Sequence, residues 1–126
     1  MLRELEHSDE FVIADLEAGV GNLNRMAESS VDALLLVVEA TPKSIEVASR
    51  AIAIAIERKV GPVRVIANKI RTPAEGQMIR AALGVDVTEV PEDPAVLAAD
   101  RDGRSVVDLA PRAPAVSILS AFAASL

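Results

Sequence analysis

The residues of this chain that can do chemistry sit in four short stretches, each just beyond an apolar run. The first is Asp15-Leu16-Glu17-Ala18-Gly19-Val20-Gly21. An acidic side chain at the end of a strand can hold Mg²⁺ directly or through water. Glycines just beyond it let backbone N–H groups approach a phosphate. The same stretch also suits a plainer role, with Asp15 capping the next helix and the glycines making the turn. The second stretch is Asn68-Lys69. An asparagine there can present its amide edge to a purine ring, or the two residues form an ordinary loop pair. The third, Pro91-Glu92-Asp93-Pro94, has a stiff backbone able to wall a base pocket, and equally reads as a helix N-cap. The fourth, Glu39-Ala40-Thr41-Pro42, is most simply a helix start.

Other chemistries lack their residues. The 126 residues contain no G-x-x-x-x-G-K-[ST] and no G-x-G-x-x-G, so no loop here can wrap β- and γ-phosphates as a Walker A loop does. There is no cysteine, which removes disulfides, thiolate catalysis, Cys-ligated zinc and iron–sulfur clusters. The one histidine, His7, precedes the first apolar run and reads as a solvated residue, so no metal site is expected in this chain. Serine, histidine and aspartate show no nucleophile-elbow spacing. Phe11 and Phe122 are too few for a base-stacking surface. The net charge of −6 weighs against a general grip on nucleic acid or an anionic membrane. No run approaches the ~18 apolar residues of a membrane span. The acidic start MLRELEHSDE has no apolar signal core, so a cytoplasmic protein is expected.

The elements that would position the four stretches follow from the apolar pattern. Hydrophobic residues make up 51% of the chain and charged residues 25%, the balance of a globular domain with an aliphatic core. Residues 11–16 (FVIADL), 33–39 (ALLLVVE), 63–68 (VRVIAN) and 85–90 (VDVTEV) read as strands. Thr41-Pro42 opens a helix to about Lys59, stopped by Gly61-Pro62. The run AIAIAI at 51–56 alternates like a strand, but length and caps favour helix with two buried faces. Thr72-Pro73-Ala74-Glu75 is a capping box whose helix stops at Gly84. Asp93-Pro94 opens a shorter helix ending near Gly103, and residues 22–30 form a short one. Pro114 opens the last helix, with Val116, Leu119, Ala123 and Leu126 on one side. Strand–helix alternation predicts right-handed βαβ units. The expectation is one α/β domain over 1–126, with about four parallel strands and flanking helices. Ligands of such a sheet bind beyond the carboxyl ends of the strands, where all four stretches lie.

Taken in order, FVIADLEAGVGNLNR, VDALLLVVEATPKSIEVASRA, VRVIANKI and VPEDPAVLAADRDGRSVVDLAPRAPA resemble the MinD/ParA group of deviant P-loop ATPases. Within that group the chain looks most like the CooC-type accessory ATPases, which help insert nickel into carbon monoxide dehydrogenase. The D-x-E-A-G form, with Glu17 where MinD usually has proline, favours that branch, and PEDPAV with a downstream Gly103 is shared more widely. The resemblance runs from Phe11 to the C-terminus. It implies a partial P-loop NTPase-like three-layer fold and a nucleotide-binding family with ATP and Mg²⁺ as cofactors. Asp15 resembles the switch II aspartate linked to the Mg²⁺ shell, and Gly19 the glycine whose N–H meets the γ-phosphate. Asn68 resembles the adenine-reading residue, and Pro91, Glu92 and Asp93 the loop beside the base. Glu17 resembles a switch or dimer-face position.

Family members begin with a strand and a K-G-G-x-G-K-[ST] loop, and this chain starts just before switch II. The expected protein is therefore the C-terminal half of a CooC/MinD-like ATPase that neither binds nor hydrolyses ATP alone. Its expected partner is a P-loop-containing half or a second copy of itself. The alternative is a non-enzymatic α/β interaction module that kept the scaffold and lost the nucleotide. A phosphorylation receiver fails on residues, lacking both the acidic pair and the Lys-Pro. The family's P-loop strand lies between the first two strands read here. Its absence leads to the expectation that residues 11–16 pair directly with 33–39, and that the protein self-associates or is poorly stable.

Overall fold

The computed structural model describes residues 11–16, 20–28 and 30–126. Its sheet has three parallel strands, β1 (Leu34–Val38), β2 (Val63–Ile70) and β3 (Val87–Pro91), adjacent in chain order. The crossovers are α1 (Pro42–Arg58) and α2 (Pro73–Leu83), followed by α3 (Pro94–Arg101), α4 (Val106–Leu109) and α5 (Pro114–Ala123). Strand alternation divides the side chains between two helical layers. Val38, Val65 and Ala67 face one layer, packing with Ala48 and Ile52 of α1 and Ile79 of α2. Ile66 and Val90 face the other, packing with Ala115 and Phe122 of α5. The α/β class and the flanking helices are as the sequence led one to expect.

The AIAIAI run is helical and does bury two faces. Ala48 and Ile52 meet the sheet, whereas Ala51 and Ala55 meet Leu34 and Leu23. Thr41 caps α1 by accepting the Ser44 N–H at 3.2 Å. At its other end Lys59 turns left-handed at φ 52°, and two hydrogen bonds close the helix. Val60 N–H donates to the Ala55 carbonyl at 3.1 Å and Lys59 N–H to the Ile56 carbonyl at 3.2 Å, the paired bonds of a Schellman ending. In α2 the expected capping box is half formed. The Thr72 side chain makes no cap bond, but Glu75 accepts the Arg71 N–H at 2.7 Å and pairs with its guanidinium. Those bonds, the backbone one foremost, hold the Glu75 carboxyl below the usual glutamate range.

Gly61 joins α1 to β2 where the chain crosses the approach to β1. A Cβ there would collide with the Val31 carbonyl oxygen, which is backbone and cannot swing aside. Gly61→Ala is therefore expected to cost about 1–3 kcal/mol, the range for overpacking a fixed contact. A urea titration measures it, and an unchanged midpoint would mean the two segments separate freely.

Four expectations need correction. Residues 11–16 form no strand: they carry no regular structure and are exposed, Phe11 at 94%. An apolar β-branched run states what a segment would bury, and a strand exists only with a neighbour to pair with. Residues 11–16 do not close directly onto β1, so the sheet among the described residues has three strands where about four were expected. The short helix at 22–30 is a single 3-10 turn, Leu23–Arg25, with Leu23 as its buried residue. In α5 the packed residues are Ala115, Val116 and Phe122, while Leu119 and, beyond the helix, Leu126 are 42% and 55% exposed. Helical spacing alone left two faces available, and the position of Ile66 and Val90 decides between them.

Candidate functional site

The carboxyl ends of the three strands carry the residues that matter. Glu39 follows β1, Asn68 and Lys69 lie at the end of β2, and Pro91 ends β3 directly before Glu92 and Asp93. The end of β2 is irregular. Ala67 pairs with Glu89 and Ile70 with Pro91, so β2 advances three residues while β3 advances two. The additional residue is a bulge, and within it Lys69 is left-handed at φ 56°. The Lys69 ammonium pairs with the Glu39 carboxylate at 2.7 Å, which ties β1 to the bulge. The hydrogen bond that Lys69 donates to Glu39 raises the Lys69 pKa, with the Glu39 and Glu92 charges adding to it. Beyond the bulge, the Glu92 N–H donates to the Ile70 carbonyl at 3.0 Å and holds the third loop against β2.

Asp93 is built into this corner as structure. It is 7% exposed and has two partners. One carboxylate oxygen accepts the Ala95 N–H at 2.9 Å and caps α3, and the other accepts the Ala115 N–H at 3.0 Å in the first turn of α5. Asn68 is half-buried, two residues beyond Ile66 on the side that strand alternation gives to α5. Two of the sequence-derived stretches, Asn68 and Pro91–Glu92–Asp93, thus come together on adjacent strands. Asp15 does not join them on the sheet, because it lies in the exposed segment 11–16. Gly19 and Glu17 lie outside the described residues. Among the described residues no three acidic or histidine side chains gather as a metal site. No helix among them is long and apolar enough to cross a membrane.

Sequence reasoning missed the Glu39–Lys69 pair, having assigned Glu39 to a helix start. The available signal was the opposite charge of two residues at the ends of consecutive strands, which a parallel sheet brings side by side. It also missed an open cleft of about 480 Å³ at the other end of the strands, lined by Val63, Arg64, Asp86 and Thr88 among others. There the Arg64 guanidinium lies 5.4 Å from the Phe122 ring centre and donates to Ser125 Oγ at 3.2 Å.

No protein-family model matches the sequence. The carbon monoxide dehydrogenase accessory protein CooC of Rhodospirillum rubrum is 33% identical over 104 residues, covering 81% of this chain. The chain is homologous to CooC and to ATP-binding proteins over most of its length. An uncharacterized ATP-binding protein of Methanocaldococcus jannaschii is likewise 33% identical over 102 residues, covering 78% of the chain. A second from the same organism is 32% identical over 130 residues and covers all of it. The matched region is 40% of CooC, 40% of the first archaeal protein and 49% of the second, so this chain spans less than half of its curated relatives. The CooC-like region includes all three strands and the corner at their carboxyl ends, since two of the matches span about four fifths of the chain and the third spans it whole.

Proposed function

We propose that this CooC-like chain is the C-terminal portion of an ATP-binding protein of the MinD/ParA type, and that it supplies the base side of the nucleotide site. The observation that carries the reading is the convergence of Asn68 with Pro91, Glu92 and Asp93 at the carboxyl ends of β2 and β3. That is where an open parallel sheet receives ligands. In this reading Asn68 reads the adenine edge, and Pro91 to Asp93 form the wall beside it, with Asp93 holding the wall to α3 and α5. The phosphates and Mg²⁺ belong to a P-loop-containing half. Asp15 enters the Mg²⁺ shell and Gly19 meets the γ-phosphate only once that half is present, with Glu17 at a switch or interface position. The open edge of β1 supports the partnership, since among the described residues β1 pairs only with β2. The reading takes the protein to be cytoplasmic, without nucleic acid or membrane as a partner, and inactive as a hydrolase on its own.

One observation favours the rival reading of a non-enzymatic interaction module. The face of β1 away from α1 leaves Leu35 and Val37 38% and 63% exposed, an apolar surface suited to another protein. The two readings part in one experiment. A P-loop-containing polypeptide from a CooC-type protein is mixed with this chain, and Mg²⁺-dependent ATP binding is measured with the parent and with Asp15→Asn. Binding gained on mixing and lost with Asp15→Asn is expected. The isolated chain's stability should stay within about 0.5 kcal/mol on the same substitution, as for an exposed residue without a packed role. A complex that forms but gains no ATP binding would favour the interaction module.

A further inference from the structure

We infer that Lys69 is a positioning residue for Asn68, acting through its ion pair with Glu39, and this rests on the base-reading role proposed above. The backbone is the starting point. In an unbroken strand, residues 67 and 69 share one face while 68 and 70 share the other. Here Ala67 and Ile70 both pack in the core beneath α1 and α2, three positions apart, so the bulge adds one residue between them. Ile70 returns to the core, and Lys69 is lifted out of the alternation at φ 56°. A left-handed turn of this kind is the usual place for glycine, because a side chain there crowds the backbone. Strain kept at the carboxyl end of a sheet is a recurrent mark of a functional site.

What Lys69 has in place of glycine's freedom is a tether. Its ammonium meets the Glu39 carboxylate at 2.7 Å across the β1–β2 boundary. Glu39 is itself held, because its N–H donates to Ser44 Oγ at 3.0 Å in the first turn of α1. On the other side of the bulge, Glu92 N–H anchors to the Ile70 carbonyl. The peptide joining Asn68 to Lys69 is thereby fixed from both sides, and with it the direction of the half-buried Asn68 amide. A lysine without Glu39 leaves a strained turn with nothing to hold it, and a glycine leaves a relaxed turn with no tether.

The test uses adenosine, which has no phosphates and so does not require a P-loop, with guanosine as the control base. Titrations are followed by NMR on the full chain. Adenosine is expected to shift the Asn68 carboxamide and Glu92 amide resonances more than guanosine does. Glu39→Gln and Lys69→Ala should each weaken adenosine binding about two- to fivefold, the scale of an exposed ion pair. They should also lower the heteronuclear NOE of the Asn68 carboxamide in the free protein, whereas Lys69→Arg should restore both. Should Lys69→Ala fail to fold, Lys69→Gly removes the same tether while favouring the turn. An adenosine response unaltered in Glu39→Gln and in the Lys69 variants overturns the positioning role alone. No adenosine response in the parent chain overturns the base-reading role and this inference with it.

Discussion

Replacing Asp93 by alanine is expected to destabilise the chain by about 2–4 kcal/mol, from two losses that add. Removing an N-cap costs about 1 kcal/mol, and here it is the cap of α3. Leaving a buried N–H without its acceptor costs about 1–3 kcal/mol, and here it is that of Ala115, 22 residues away. The second loss is the more consequential. It releases the start of α5, the helix that covers Ile66 and Val90. Asp93→Asn keeps an acceptor for one of the two N–H groups and should lose less. Urea titrations monitored by circular dichroism measure both variants. A loss below about 0.5 kcal/mol for Asp93→Ala would place Asp93 among exposed residues without a packed role and leave its carboxylate free for a ligand.

The second large effect concerns ATP. The isolated chain is expected to bind ATP no more tightly than about 1 mM, near −4 kcal/mol, whereas micromolar binding is worth about −8 kcal/mol. The difference belongs to the phosphates. In P-loop proteins these are held by the backbone N–H groups of the loop and by its lysine, and the G-x-x-x-x-G-K-[ST] pattern does not occur in these 126 residues. Asp15 is exposed, and among the described residues no three His, Cys, Asp or Glu side chains gather as a metal site. What remains, in the proposed function, is the base, with Asn68 and the loop from Pro91 assigned to it. Isothermal titration calorimetry decides the matter, and a micromolar dissociation constant would show a phosphate site that does not depend on a P-loop.

The fold was legible where punctuation and burial coincide. Thr41-Pro42, Gly84 and Asp93-Pro94 each mark a real helix boundary. The strand near 63 was found from its β-branched run but ends two residues later, because no periodicity announces a bulge that returns Ile70 to the core. The segment at 11–16 has the apolar signature of a buried strand without the neighbour that would make it one. The site was legible in part for a related reason. Asn68 and the Pro91 loop could be placed because parallel strands align their carboxyl ends. The dual engagement of Asp93 could not, since Ala115 reaches it only through the packing of α5. Glu39 looked like the prelude to a helix, and its charge acquires meaning only beside Lys69.

The sheet's strand order has a kinetic consequence. β1, β2 and β3 are neighbours in space as they are in sequence, so each strand closes onto the one just before it, and the search for partners stays local. The entropic cost of closing each crossover grows only slowly with its length, and parallel pairing across the crossovers is the slow step. The three strands and their crossover helices form one contiguous run of the chain. Among the described residues β1 has one unpaired edge, a template for a further strand. Folding of these strands and any pairing at the open edge of β1 become separate events in time.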